Sequence, residues 1–505
     1  MPILVELKGC ESGCLTQRAI NFVMISFGLG LVAGLGQEPW GFWVLTIVAL
    51  GVWLKRPKSS RRLAFSEGWF FGAGYFTVSL HWIVSPFLVE IGSTGWMAPF
   101  ALVLMVGGTA LFWGLGSYAA YRIAPHSLVL MGLMIAGAEA FRSYIFSGFP
   151  WALLGHIWVD TPLAQLASFG GPHLLNLLTV SLGVATAILL QRQLWAVIAP
   201  LIAIVSWVFL AVGPVPNYSG PRVRLIQPNA TQSDKWDLIK SQIFFDRMIN
   251  LTQEGPRADL VIWPETAISD LLENAGDSLD QVAQAARGAS TVVGINRRDG
   301  NRYYNSAIVL EQGAIISSVY DKAHIVPFGE YIPGGELLAK VGIGGFAASQ
   351  GGAFSAGPKA RVVDITAIGN ARILICYEGI FAHEIGTEVR PRLLILITND
   401  AWFGPTAGPR QHLAQARLRA IEQGLPMVRV ANTGISAMID GKGRIIDQIE
   451  MGQSGYIDVN LPPALAPTIY SKTGDWPALM LLILSVGLCA SMSWRSWIDP
   501  TDKTP

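Results

Sequence analysis

Hydrophobic and polar positions divide the chain near residue 215. Before it, apolar stretches follow one another with short polar breaks, at 19–36, 40–54, 69–90, 97–121, 127–146, 166–190 and 194–213. Most approach the ~20 residues that a helix needs to cross about 30 Å of hydrocarbon, so each predicts a transmembrane helix; the second is short and has to tilt little. An eighth run, 477–492, stands alone near the C-terminus. Between the seventh and eighth runs the pattern changes to short β-rich segments, at Arg222–Gln227, 260–263, 291–295, 306–310, 373–376, Leu393–Thr398 and Met427–Ala431. Polar helical stretches at 278–289 and 411–424 lie among them, as in an α/β domain. The expected organisation is a leader (1–18), a transmembrane domain of seven spans (19–214), an α/β domain (220–465), a C-terminal transmembrane helix (477–492) and a tail (493–505).

Basic residues orient this arrangement. Lys55, Arg56, Lys58, Arg61 and Arg62 lie between spans two and three, Arg122 after span four, Arg192 between six and seven, and Arg495 after the last. The alternate loops 36–39 and 91–96 carry neither Lys nor Arg. The positive-inside rule therefore puts the basic loops and both termini in the cytoplasm and 220–465 on the opposite side. Composition agrees: only 14% of residues are charged, where a soluble chain carries about 25%, so much of the apolar surface has to face something other than water. A net charge of +1 gives no reason to expect a nucleic-acid partner. Four cysteines, Cys10, Cys14, Cys376 and Cys489, are too few for a disulfide scaffold. The first apolar run lacks an A-x-A-like cleavage site, so no cleaved signal peptide is expected.

Three segments of the α/β domain place an ionisable residue at a strand end. Val261-Ile262-Trp263-Pro264-Glu265-Thr266 is a strand stopped by proline and followed by a carboxylate. Tyr320-Asp321-Lys322-Ala323-His324 leads to Val326-Pro327-Phe328-Gly329-Glu330. Ile373-Leu374-Ile375-Cys376-Tyr377-Glu378 delivers a thiol at the end of an apolar strand. Ligands and catalysis collect in such loops. A thiol is only a few per cent ionised at neutral pH and needs a base or a nearby cation. Glu265 suits the base, Lys322 a cation for thiolate and oxyanion, and the N–H of Tyr377 a second oxyanion donor. Taken singly, Cys376 reads as an inert core residue, Glu265 as a solvated carboxylate and Lys322 as a surface lysine. Their joint order, each after a strand of one domain, favours acyl transfer through a thioester.

That order resembles the carbon–nitrogen hydrolase (nitrilase) superfamily and, within it, the apolipoprotein N-acyltransferase family. The resemblance covers nearly the whole chain. It rests on Gln227-Pro228-Asn229 with Lys235-Trp236-Asp237, the three segments above, Thr398-Asn399-Asp400-Ala401-Trp402-Phe403-Gly404, Gln411-His412 and Asn432-Thr433-Gly434-Ile435-Ser436. In the apolar part it includes Leu80-His81-Trp82-Ile83, Glu139 with Arg142, Gly148-Phe149-Pro150-Trp151 and Gly474-Asp475-Trp476-Pro477. The leader and His81, where a tyrosine is expected, depart from the family. The resemblance implies eight transmembrane helices carrying a nitrilase-like α-β-β-α sandwich on the periplasmic side of a bacterial inner membrane. It makes Glu265 the general base, Lys322 the oxyanion stabiliser and Cys376 the nucleophile, with Trp236, Glu330, Tyr377 and Glu378 in support. The implied donor is a membrane phospholipid and the implied acceptor the N-terminal amine of a diacylglyceryl-cysteine on an apolipoprotein, with no metal or organic cofactor and a monomeric enzyme.

The runner-up is a membrane-anchored amidase acting on a small amide, which leaves eight spans unexplained. A transporter or receptor with a degenerate binding domain fits less well, because the spans carry few ionisable residues beyond Glu139, Arg142 and a histidine. Glu139 and Arg142 are expected to pair or to line a headgroup path. His156 and His173 lack the partners of a metal site, while His324 and His412 are expected to tune hydrogen bonds. Cys489 reads as a packing residue. The Gly-rich stretch 341–352, with Phe346 in it, suits a mobile lid.

Overall fold

The structure, a computed structural model, describes residues 21–191, 213, 215–235, 237–333, 354–358 and 362–498. The expected leader with Cys10 and Cys14, nearly all of the seventh apolar run, Trp236 and the stretch 341–352 with Phe346 lie outside the described residues.

The N-terminal region is helical: α1 (Asn21–Gly34), α2 (Trp43–Lys55), α3 (Arg61–Ser79), α4 (Ala98–Ile123), α5 (Leu128–Tyr144) and α6 (Ala167–Gln191). α3 corrects the expected third span of 69–90. Ser60 caps the helix by accepting the Leu63 N–H at 3.2 Å, so Arg61 and Arg62 open the helix rather than belong to the loop before it. Hydropathy alone stopped short because Glu67 is charged; inside the protein Glu67 lies 3.5 Å from Arg56 and 3.8 Å from Lys58, which lets a buried carboxylate continue an apolar helix. After Ser79 the chain turns through His81–Val84 instead of running on.

Aromatic rings fill the interior of this region. Trp53 stacks on Phe71 with centroids 4.7 Å apart, and Tyr75 on Trp113 at 5.0 Å. Arg142 and Glu139 pair at 3.0 Å with neither reaching the surface. Trp113 Nε1 donates to Glu139 at 2.8 Å, and Arg142 Nη1 donates to the carbonyl of Trp151 at 2.9 Å. The pair thus tethers the segment after α5. On the outside of α4, Phe100, Val103, Leu104, Leu111 and Leu115 are exposed at helical spacing, an apolar stripe with no partner among the described residues.

Residues 222–460 form two stacked sheets. One has the strand order β13–β1–β2–β4–β5–β6, with β3 paired to β4, and the other β12–β11–β10–β9–β8–β7. Their ranges are β1 Arg222–Gln227, β2 Leu260–Ile262, β3 Ile268–Leu271, β4 Ser290–Asp299, β5 Arg302–Glu311, β6 Ile315–Asp321, β7 Val362–Ile365, β8 Gly369–Ile375, β9 Leu393–Thr398, β10 Met427–Ala431, β11 Ser436–Ile439, β12 Ile445–Ile449 and β13 Gly455–Asn460. Helices α7 (Leu238–Gln253) and α8 (Gly276–Ala285) cover the first sheet, and α9 (Ala407–Gln423) covers the second.

Side-chain alternation along each strand builds the layers. In β9, Leu393, Ile395 and Ile397 enter the core between the sheets, whereas Leu394 and Leu396 pack with Leu413, Ala416 and Ala420 of α9. Both faces being buried, the strand reads as a continuous apolar run, which is why its sequence limits are correct to the residue. The edge strands β6 and β12 are half-exposed and mixed in polarity, so their pattern does not announce them.

A short helix, α10 (Ile469–Thr473), leads into α11 (Trp476–Ile498), whose Met480, Leu481, Ile483, Leu484 and Leu488 are exposed. Cys489 packs partly buried against the helical core, as expected. Among the described residues three helical stretches, Ile91–Ile123, Pro162–Gln191 and Trp476–Ser493, are long and apolar enough to cross a membrane, and α1 and α2 are shorter apolar helices.

The two regions meet at α9. Gln411 Oε1 accepts from the indole N–H groups of Trp82 (3.1 Å) and Trp151 (2.7 Å), and its Nε2 donates to the carbonyls of Glu38 (2.9 Å) and Ser79 (3.0 Å). Every hydrogen-bonding position of this amide is used by the helical region.

Candidate active site

Glu265, Lys322 and Cys376 come from three separate strand ends. β2 stops at Ile262, and Pro264 lacks the N–H that would continue the ladder. The chain then crosses β4 at Gly294, where a Cβ would lie 2.4 Å from the Pro264 carbonyl and 2.7 Å from Glu265 Cα. Only glycine permits that approach. Thr266, at φ 47°, completes the turn. Glu265 is 6% exposed. Its Oε1 accepts from Asn305 Nδ2 at 2.7 Å, its Oε2 accepts from the Asn399 N–H at 2.7 Å, and its own carbonyl accepts from Lys235 Nζ at 3.1 Å.

Lys322 follows β6 and is 1% exposed. Its Nζ lies 2.8 Å from Glu330 Oε1 and 3.9 Å from Glu265 Oε1. Asn305 Nδ2 reaches both carboxylates, at 2.7 Å to Glu265 and 3.2 Å to Glu330, and so sets their spacing. Glu330 is itself held by the Val326 N–H at 2.7 Å. Burial opposes the charge on Lys322, but the carboxylates of Glu330 and then Glu265 outweigh it and push the ammonium above its ordinary range.

Cys376 opens the helical turn Cys376–Ile380 directly after β8, which ends at Ile375, one residue short of the end that the sequence predicts. Its φ of 49° is unusual for a side chain other than glycine, a strain of about 1–3 kcal/mol that persists where the surroundings enforce it. Glu378 enforces much of it. One carboxylate oxygen accepts the Ile375 N–H at 2.7 Å, and the other accepts Tyr320 Oη at 2.7 Å and the Ala323 N–H at 2.8 Å. Glu378 therefore staples the Cys376 turn to the Lys322 segment. Tyr377 packs edge-on against His324 and Phe381, and its hydroxyl donates to the Gly148 carbonyl at 3.4 Å. His324 stacks on Phe381 and bonds Glu384 at 3.0 Å. Burial, then the Glu265 charge, pushes the Cys376 thiol up, with Lys322 opposing. Cys376 is thus a neutral thiol beside a carboxylate and an ammonium, an arrangement that can pass the proton to the carboxylate as the sulfur attacks.

Of the residues expected from sequence, Glu265, Lys322, Glu330, Cys376, Tyr377 and Glu378 are brought together, and Trp236 lies outside the described residues. Sequence reading did not assign Asn305 or Lys235 to the site. Asn305 had a signal, a polar pair with Ser306 near the start of the buried stretch of β5 that continues as Ala307 to Leu310. The signal for Lys235 is its place beside Trp236 in Lys235-Trp236-Asp237; burial pulls its amine down to about 8 against the pull of Glu265.

Comparison with known proteins matches this arrangement. Residues 222–469 fit the family profile described as carbon-nitrogen hydrolase, and residues 29–185 the one described as apolipoprotein N-acyltransferase N-terminal domain. The apolipoprotein N-acyltransferase of Rhodopseudomonas palustris is 34% identical across 95% of this chain and 96% of its own length. That of Bradyrhizobium diazoefficiens is 36% identical across 83% and 84%. A solved carbon–nitrogen hydrolase superfamily protein from Xanthomonas campestris aligns with 52% of this chain and 97% of its own, at 20% identity and a TM-score of 0.36. With both halves matched and full-length relatives above 30% identity, the chain belongs to the apolipoprotein N-acyltransferase family.

Proposed function

We propose that Glu265, Lys322 and Cys376 carry out the family's N-acylation of lipoproteins in two half-reactions. The supporting observation is the placement of Lys322, buried between Glu330 and Glu265, with its charge acting on the Cys376 thiol. Cys376 Sγ attacks the ester carbonyl carbon of a membrane phospholipid while Glu265 takes the thiol proton. Lys322 and the Tyr377 N–H stabilise the resulting oxyanion. Collapse breaks the bond to the glycerol oxygen, which takes the proton from Glu265 and leaves as lysophospholipid, and a thioester remains. The neutral N-terminal amine of a diacylglyceryl-cysteine then attacks that carbonyl, gives its proton to Glu265, and expels the Cys376 sulfur, which is reprotonated. Trp236, Glu330, Tyr377 and Glu378 support these steps.

The same reading gives the chain eight transmembrane helices in the inner membrane, with 220–465 in the periplasm, both termini in the cytoplasm and a single copy as the working unit. The outward apolar stripes of α4 and α11 and the one-sided distribution of Lys and Arg support it. Both substrates are bilayer-anchored, which gives the helical base its purpose.

Incubation with phospholipid and no acceptor tests the reading. A hydroxylamine-sensitive acyl adduct is expected on Cys376 by intact mass, discharged by a diacylated lipopeptide with a free amine, with ping-pong steady-state kinetics. An adduct that forms equally well in Cys376→Ala overturns it.

A further inference from the structure

His412, on α9, reaches the nucleophile from behind. It is wholly buried, and its Nε2 lies 3.2 Å from the main-chain carbonyl oxygen of Cys376. A carbonyl only accepts, so Nε2 carries a hydrogen in whichever protonation state the ring adopts. The other ring nitrogen is 3.1 Å from Asp400 Oδ1 and 3.2 Å from Arg429 Nη2. Arg429 also pairs with Asp400 Oδ2, and Thr398 Oγ1 donates at 2.8 Å to Asp400 Oδ1, the oxygen beside His412. The imidazole is therefore held on one edge by a buried ion pair and presents its other edge to a single peptide group. Because Nε2 meets the carbonyl rather than the sulfur, its contact is with the backbone of the nucleophile.

That peptide group matters. A trans peptide is planar, with its C=O and N–H pointing in opposite directions. The carbonyl of Cys376 shares its plane with the N–H of Tyr377, the group assigned to the oxyanion. The plane sits where β8 has ended and the turn Cys376–Ile380 begins, after a residue at φ 49°, so no sheet ladder fixes its rotation. We propose that His412 is the positioning residue of the oxyanion hole: by gripping the Cys376 carbonyl it aims the Tyr377 N–H at the oxygen of the bound ester or thioester. The proposal rests on the reading of Cys376 as nucleophile. It gives the Gln411-His412 pair two tasks, Gln411 holding α9 to the helical region and His412 passing that fixed position to the oxyanion donor.

Two substitutions in the full-length protein test it. In His412→Asn the amide keeps the Asp400 side but falls short of the carbonyl; in His412→Gln it reaches the carbonyl. Each variant is compared with wild type for thermal transition, rate of acyl-enzyme formation from phospholipid, and rate of Cys376 alkylation by iodoacetamide. Alkylation displaces iodide at a saturated carbon and develops no carbonyl oxyanion, so it reports the thiol alone. The Asn variant is expected to slow acylation roughly 10–100-fold, less than the roughly 100–1000-fold cost of losing an oxyanion donor outright, with alkylation within about twofold of wild type. The Gln variant is expected to recover most of the acylation rate. Unchanged acylation in the Asn variant, alkylation falling in step with acylation, or a Gln variant no better than Asn overturns the proposal, as does loss of folding in Asn alone. Acylation that persists in Cys376→Ala instead places the failure in the nucleophile assignment.

Discussion

Lys322 stands closer to Glu330 than to Glu265, at 2.8 Å against 3.9 Å. Coulomb attraction weakens with distance and a direct hydrogen bond adds to it, so Glu330 holds the ammonium more tightly than Glu265 does. The two carboxylates thus stand in different relations to one ammonium, and Asn305, bonded to both, keeps them apart.

Replacing Glu330 with Gln should loosen Lys322 without touching Cys376. Acyl-enzyme formation in single turnover should slow by roughly 10–100-fold, less than the roughly 100–1000-fold of losing an oxyanion donor outright, while KM for phospholipid stays within about twofold. A loss confined to KM would instead assign Glu330 to substrate binding.

The raised Cys376 thiol makes a pH prediction. A thiol is neutral below its pKa, and burial followed by Glu265 moves this one above the ordinary thiol range. Alkylation by iodoacetamide should therefore keep climbing beyond pH ~9, where a free cysteine levels off. Glu265→Gln removes the second cause, so alkylation at high pH should speed up while acyl transfer is lost. Slower alkylation at high pH in this variant would show that the carboxylate does not act on the sulfur.

Behind the nucleophile, burial opposes the charge of Asp400 but Arg429 and then His412 outweigh it, holding the carboxyl well below the usual range. Asp400→Asn leaves a fully buried guanidinium without its counter-charge and should cost about 3–5 kcal/mol, read as a large drop in the thermal transition. Adding Arg429→Met should recover part of the loss; no recovery would deny that the unpaired charge causes it.

Gln411→Leu strands two indole N–H groups and two carbonyls that it now satisfies. At about 1–3 kcal/mol for each buried group left unpaired, the thermal transition in detergent should fall well below that of wild type. An unchanged transition would mean that the contact between the regions does not depend on this amide.

Ser59 and Asp299 are both exposed, one in the basic loop before α3 and the other at the end of β4. As single cysteines in intact spheroplasts, only Asp299→Cys should react with a membrane-impermeant maleimide. Labelling of Ser59→Cys alone would invert the proposed topology.

The sequence by itself determined the division into apolar and α/β regions, the central strands and the three strand-end residues of the site. Those are properties of single segments: an apolar run of β9 type is buried on both faces, and proline or a turn ends a strand wherever the rest of the chain lies. The expected supporting roles of Trp236, Glu330, Glu378 and the Tyr377 side chain rest on family resemblance, whereas the Tyr377 N–H follows from its place after Cys376. Tertiary structure alone decided which carboxylate Lys322 pairs with, that Asn305 spaces the two, that Lys235 backs Glu265, and that Glu139 with Arg142 tethers a loop. It also moved the start of α3, since the charge of Glu67 is cancelled by residues before the helix. Such contacts form between elements. His412 meets the Cys376 carbonyl only because α9 packs on the sheet that ends in the nucleophile, and a hydrogen bond of that length depends on side-chain packing that no local pattern of polarity encodes.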